Sequence, residues 1–146
     1  MSSLEHQPNH HFQYTISINS SLASVWNSLT KVSTWHTWDT ELSAASLDGP
    51  FQAGAAGHLT PKKGPRLKFK IIACVHHQYY VFKTKLPIGH IEIRRSLNVQ
   101  NNLVHFTDDI KFTGLLKFLF AAILGKEFKS VLPEVMHNFK NNIEKN

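Results

Sequence analysis

From Arg66 to Phe112 the chain alternates bulky apolar and polar residues through four successive segments. A hydrophobic period of two belongs to β-strands with one face buried. Leu67, Phe69, Ile71, Ala73 and Val75 share one face, and Arg66, Lys68 and Lys70 the other. Next, Tyr80, Phe82, Thr84 and Leu86 oppose Val81, Lys83 and Lys85. Ile91, Ile93, Arg95 and Leu97 oppose His90, Glu92, Arg94 and Ser96, and Val104, Phe106, Asp108, Ile110 and Phe112 oppose His105, Thr107, Asp109 and Lys111. Directly paired antiparallel residues lie on the same face, so each hairpin must join two apolar phases. A turn at His76-His77 pairs Val75 with Gln78 and Ala73 with Tyr80; a loop at Pro87–His90 pairs Leu86 with Ile91; a turn at Gln100-Asn101 pairs Leu97 with Val104 and Arg95 with Phe106. All three keep the apolar face on one side, which predicts an antiparallel meander.

The flanking segments complete the plan. Residues 1–11 are polar and without periodicity, a loose N-terminal segment, and 12–146 form a single domain. Phe12–Ile18 alternates as a strand, Asn19-Ser20-Ser21 offers helix caps, and Leu22, Val25, Trp26 and Leu29 line one face of a helix stopping near Lys31. A short helical turn follows at Ser33–Trp38. Glu41–Leu47 and Gly54–Pro61 are weaker strands, separated by the Asp48-Gly49-Pro50 turn and closed by Lys62-Lys63-Gly64-Pro65. At the end Leu124, Phe128, Val131, Val135, Phe139 and Ile143 recur at helical spacing, with a kink or break expected at Pro133. The fold class is α+β: one curved seven-stranded antiparallel sheet around a long C-terminal helix, with two short helices after the first strand.

The order of these elements resembles the START/polyketide-cyclase-like (SRPBCC) superfamily, the helix-grip fold shared with the major birch pollen allergen. The residues that carry the resemblance are Ile18-Asn19-Ser20-Ser21 before Val25-Trp26, Trp35-His36-Thr37-Trp38-Asp39, Leu47-Asp48-Gly49-Pro50-Phe51 with Gly54, and Phe112-Thr113-Gly114-Leu115 leading to Leu132-Pro133. The resemblance implies a cavity between sheet and C-terminal helix that holds apolar molecules, in a group that includes carriers, chaperone cofactors and a few cyclases. Fold alone does not choose among them.

The residues supply their own candidates. A curved sheet diverges from a straight helix and leaves room for a pocket. Around it we place Phe69, Phe82, Ile93, Phe106 and Ile110 from the strands and Leu132 and Met136 from the helix, although each equally suits a packed core. Arg95 and Asp108 interrupt apolar faces. Diagonal in the register above, they form either a buried ion pair or a polar anchor for a ligand headgroup, with Tyr80 and Thr84 adding hydroxyls. Trp26, Trp35 and Trp38 are core aromatics, or Trp38 borders a pocket mouth.

Other chemistries find little support. The formal net charge of +6 is spread along the chain without a block of like charges, so no nucleic-acid partner is expected. Of the ten histidines only His6 and His10 stand at i, i+4, in the non-periodic N-terminal segment, and the single cysteine allows no Cys-x-x-Cys pair, so neither metal nor cofactor is expected. No G-x-S-x-G is present, and Cys74 falls in the outer phase without a base. A lone cysteine forms no internal disulfide and suits a cytoplasmic setting, and no secretory signal is visible at the start. The apolar run Leu115–Leu124 is too short to span a bilayer. It either covers a sheet edge or serves as portal, dimer surface or transient membrane contact. The leading expectation is a carrier of an apolar or amphipathic small molecule, lipid-like or polyketide-like. The alternatives are an acid/base cyclase or dehydratase and a protein-interaction module without a ligand.

Overall fold

The computed structural model describes residues 11–86, 89–113 and 117–145, with the side chains of 117–129 outside that description. Strand β1 (His11–Ile18) leads into α1 (Leu22–Thr30) and a 3₁₀ helix (Val32–Thr37). Strands β2 (Leu42–Leu47), β3 (Ala56–Pro61), β4 (Leu67–Val75), β5 (Tyr79–Leu86), β6 (Gly89–Gln100) and β7 (Leu103–Thr113) follow, and then α2 (Lys117–Glu144). The seven strands form one antiparallel sheet in the order β1-β7-β6-β5-β4-β3-β2. The meander β2–β7 is therefore extended by β1, which the last strand pairs with at the far edge of the sheet.

Local chemistry explains the element ends. The Ser21 side chain accepts the Ser24 amide and caps α1. At the other end, the Leu29 carbonyl, which the helix leaves open, accepts the Trp35 Nε1–H at 2.9 Å and the Tyr80 hydroxyl at 2.9 Å. Two side chains from outside α1 thus finish it and pin it to the sheet. The second half of α2 lies along β1, tied by its Glu144 carboxylate to the Asn19 amide and by His137 to the Tyr14 hydroxyl.

The strands form where alternation predicts them, but their pairing differs in three places. At the β6–β7 turn the two residues are Asn101-Asn102, with φ of 54° and 63°. Two left-handed residues in succession make the turn whose twist matches a hairpin, and Asn tolerates them. Gln100 therefore pairs with Leu103 and Arg95 with Asp108, two residues away from the expected register. The β5–β6 connection is likewise tighter, pairing Leu86 with Gly89. Both shifts are even, so every side chain keeps its face. At the β4–β5 turn the register instead slips by one between Ile71 and Ala73. That bulge turns Cys74 toward the core and leaves Val75 exposed, the reverse of the alternation's forecast.

Two further expectations change. Strand β1 begins at His11, one residue early, where the imidazole meets the Asp109 carboxylate. Helix α2 continues through Pro133 without a break. Leu115 and Leu116 of the apolar run and the side chains of the rest of it lie outside the described residues, as do residues 1–10.

Candidate functional site

Linking the pairings across the sheet turns the concave face into a set of transverse rows. Phe12, Ile110, Ile93, Phe82 and Ile71 make one apolar row across five strands. Beside it runs Phe112, Ile91, Thr84 and Phe69. On the other flank Ile16, Phe106 and Leu97 align. Between them lies the polar row: Tyr14 on β1, Asp108 on β7, Arg95 on β6, Tyr80 on β5 and Cys74 on β4.

At the centre of that row Arg95 is 4% exposed, Asp108 2% and Tyr80 0%. Arg95 Nε–H donates to Asp108 Oδ2 at 3.4 Å, and its Nη1–H donates to the Tyr80 hydroxyl at 3.2 Å. Tyr80 in turn donates to the Leu29 carbonyl, so a continuous chain of bonds joins the carboxylate to the end of α1. The guanidinium carbon also stands 4.8 Å from the centre of the Trp35 ring, 4.9 Å from Trp38 and 5.2 Å from Phe82. Aromatic faces carry negative charge density and stabilise a desolvated cation. Trp35 lies parallel to Tyr80 and tilted over Phe69 and Phe82, so it roofs this end of the concave face.

Burial sets the protonation behaviour. It pushes the Asp108 carboxyl above the ordinary 3.8, with the Arg95 charge opposing it. Asp39, just after the 3₁₀ helix, is raised for the same reason and is likewise opposed by Arg95. Both carboxyls thus feel the one guanidinium, which of the two bonds only to Asp108, and the Asp39 charge raises Asp108 further. The Tyr80 phenol is pushed up to about 12, chiefly by burial. Burial would lower Arg95, but Tyr80 and Asp108 outweigh it and raise the guanidinium, which stays charged.

Three buried polar atoms find no protein partner among the described residues: Asp108 Oδ1, Thr84 Oγ1 and Trp38 Nε1. Such atoms are uncommon in folded proteins, and each costs free energy unless something accepts or donates to it.

The expected site residues divide accordingly. Arg95, Asp108 and Tyr80 come together, closer than expected because the β6–β7 turn makes the charged pair directly opposed. Thr84 does not join them: it sits four residues along β5 from Tyr80, about 13 Å away at strand spacing. Phe69, Phe82, Ile110, Leu132 and Met136 are buried, and Ile93 is partly buried against them. Phe106 packs edge-on to Phe139 of α2, which meets Trp38 in turn. Sequence reasoning missed Asp39 and the aromatic cage on Arg95; the one signal for them was the aromatic-rich stretch Trp35-His36-Thr37-Trp38-Asp39.

Two clefts open elsewhere. One, of about 470 Å³, lies between α1, the 3₁₀ helix and the end of α2, with Trp38 and Phe139 in its wall and Lys31 and Lys145 beside them. The other, of about 280 Å³, is lined by Trp26, Thr30, Phe51, Cys74 and His76 among others. Neither is lined by Arg95 or Asp108.

Residues 9–144 match the model of the family described as polyketide cyclase / dehydrase and lipid transport. The chain belongs to this family. Solved structures agree on the helix-grip fold. The chain superposes on the di-domain ARO/CYC StfQ from the steffimycin biosynthetic pathway with a TM-score of 0.76 at 8% identity, covering 93% of this chain and 51% of that one. For a START superfamily protein from Mycobacterium smegmatis the values are 0.72 and 10%, covering 93% and 98%. For Ara h 8.0201 they are 0.67 and 12%, covering 94% and 99%. The chain spans about half the length of StfQ and 48% of DynU16, from the dynemicin biosynthetic locus. No curated protein matches it in sequence. Among the described residues no helix is long and apolar enough to cross a membrane, and no group of three or more His, Cys, Asp or Glu stands where it can hold a metal ion.

Proposed function

We propose that this member of the polyketide cyclase / dehydrase and lipid transport family binds an amphipathic small molecule, lipid-like or polyketide-like, between the concave face of its sheet and α2. One observation carries the reading: an otherwise apolar concave face holds a buried charged row whose Asp108 Oδ1 has no partner among the described residues. A ligand hydroxyl or protonated acid would donate to that oxygen. The Phe82–Ile93–Ile110 row would cover the apolar body, with Leu132 and Met136 of α2 opposite.

Native mass spectrometry with solvent extraction, followed by titration with a fluorescent fatty alcohol, tests the reading. The expected result is one bound equivalent. In the paired variant Arg95→Met/Asp108→Leu, affinity for the alcohol should fall at least tenfold while an all-hydrocarbon probe binds as before. A folded protein that yields no extractable apolar molecule and retains neither probe would end the proposal.

A second reading draws on the raised carboxyl of Asp108. A carboxyl whose hold on its proton is strengthened by burial, set in an otherwise apolar sheet face, can serve as the acid of a cyclisation or dehydration. Asp108→Asn should then abolish turnover of a polyketide-like substrate and leave its binding intact, whereas a carrier shows no turnover in either form.

A further inference from the structure

The convex face of the sheet brings together charges that stand far apart in the chain. The pairings place Lys111 on β7, Glu92 on β6, Lys83 on β5 and Lys70 on β4 in one transverse row. By the same register Lys68 falls opposite Lys85, one row along. Lys68, Lys70, Lys85 and Lys111 are exposed, Lys83 is partly exposed, and Glu92 reaches Lys83 at 3.7 Å. Five lysines against that one carboxylate leave four positive charges on these two rows, out of a net +6 for the whole chain.

The arrangement opposes folding. Lys70 and Lys83 are directly paired across adjacent strands about 5 Å apart, where like charges repel, and Lys68 with Lys85 repeats the conflict beside them. A single glutamate, placed between Lys111 and Lys83, relieves only part of it and does not face Lys70, Lys68 or Lys85. An external anion that spreads negative charge over the whole face relieves the rest.

The geometry points to an anionic membrane surface as the partner of this face. Lysine is a compact point charge suited to diffuse headgroup charge. The cations of both rows are lysines. Arg94, an arginine on the same face and the residue type that grips phosphate and guanine bidentately, lies one row away over the Tyr79 ring with Asp109 opposite. The only rings in the two rows are the imidazoles His11, His58 and His90, with no Phe, Tyr or Trp for bases to stack on. Protein interfaces, for their part, are depleted in lysine and centred on aromatic and apolar residues. This inference stands apart from the proposed ligand on the concave face.

Vesicle co-sedimentation of the full chain tests it, with phosphatidylcholine vesicles either pure or carrying about 30% phosphatidylserine. Two variants of equal net charge are compared: Lys70→Gln/Lys83→Gln on the convex face, and Lys31→Gln/Lys145→Gln beside the α1–α2 cleft. The parent should bind the anionic vesicles in low salt, bind the neutral ones weakly, and be released as salt rises. At roughly fivefold per lysine, the convex pair should lower partitioning by about 25-fold and the cleft pair by no more than about threefold. Thermal unfolding in low salt controls for misfolding, since the convex pair removes a repulsion and should be no less stable than the parent. Equal losses in the two variants, or equal binding to both vesicle types, overturn the inference. So does a short RNA that binds the parent tightly enough to strip it from anionic vesicles at equal phosphate concentration, which assigns the face to nucleic acid.

Discussion

Removing Arg95 should be far more damaging than removing it together with Asp108. In the parent, guanidinium and carboxylate lie 3.4 Å apart, with their side chains 5% and 2% exposed. At an effective dielectric constant of about 20 their attraction is about 5 kcal/mol. In Arg95→Met the carboxylate stays buried without a counter-charge, a loss of about 3–5 kcal/mol. The aromatic cage also loses its cation, but the Tyr80 bond to Leu29 survives. Unfolding entropy of about 2.1 cal/mol/K per residue gives about 0.3 kcal/mol/K for 146 residues, so Tm should drop by about 10–16 °C. Arg95→Met/Asp108→Leu removes both charges and should recover most of that loss, because a buried pair is roughly balanced by hydrophobic residues of similar volume. A four-variant cycle by thermal and urea unfolding at pH 7 measures it. In the single variant the buried carboxyl holds a proton more tightly than the unfolded chain does, so stability should return as the pH falls toward 4. A single-variant Tm within about 3 °C of the parent, or a double variant that simply sums the two losses, would refute the reasoning.

Two other substitutions probe separate parts of the argument. The Asp39 carboxyl is raised above 3.8 by burial, so the native state binds its proton more tightly than the unfolded chain and stability falls as pH rises through the raised value. Asp39→Asn keeps an oxygen for the Glu41 amide but cannot ionise, so its stability relative to the parent should improve between pH 4 and 7, read from urea midpoints; a gap that does not change with pH would remove Asp39 from the charged cluster. Gly57 on β3 has no room for a methyl group: a Cβ there would stand 2.2 Å from the Ser46 carbonyl oxygen and 2.7 Å from the Phe69 ring. Gly57→Ala should cost about 1–3 kcal/mol and disturb the near-ultraviolet circular dichroism of the aromatic roof, since Trp35 rests on Phe69; an unchanged Tm and spectrum would contradict the packing.

Side-chain alternation, capping serines and turn residues are local properties, and they were enough to determine the element order and the face of nearly every strand residue. Arg95 and Asp108 were legible as inward charges because they share the phase of Ile93 and Ile110. Parity is blind to shifts of two, so it left open that the Asn101-Asn102 turn would set the two charges directly opposite one another. It equally gave no warning of the bulge before Ala73, a one-residue slip that depends on how the β4–β5 turn closes. Contacts between distant elements lay further out of reach: the stacking of Trp35 on Tyr80, the Arg95 cage and the approach of Asp39 exist only once the 3₁₀ helix folds over the sheet. The lysines show the same divide. Along the chain they are scattered and read as an ordinary solvated face, yet antiparallel pairing stacks residues from four strands into two rows, because strand neighbours are chosen by hairpin geometry rather than by nearness in sequence.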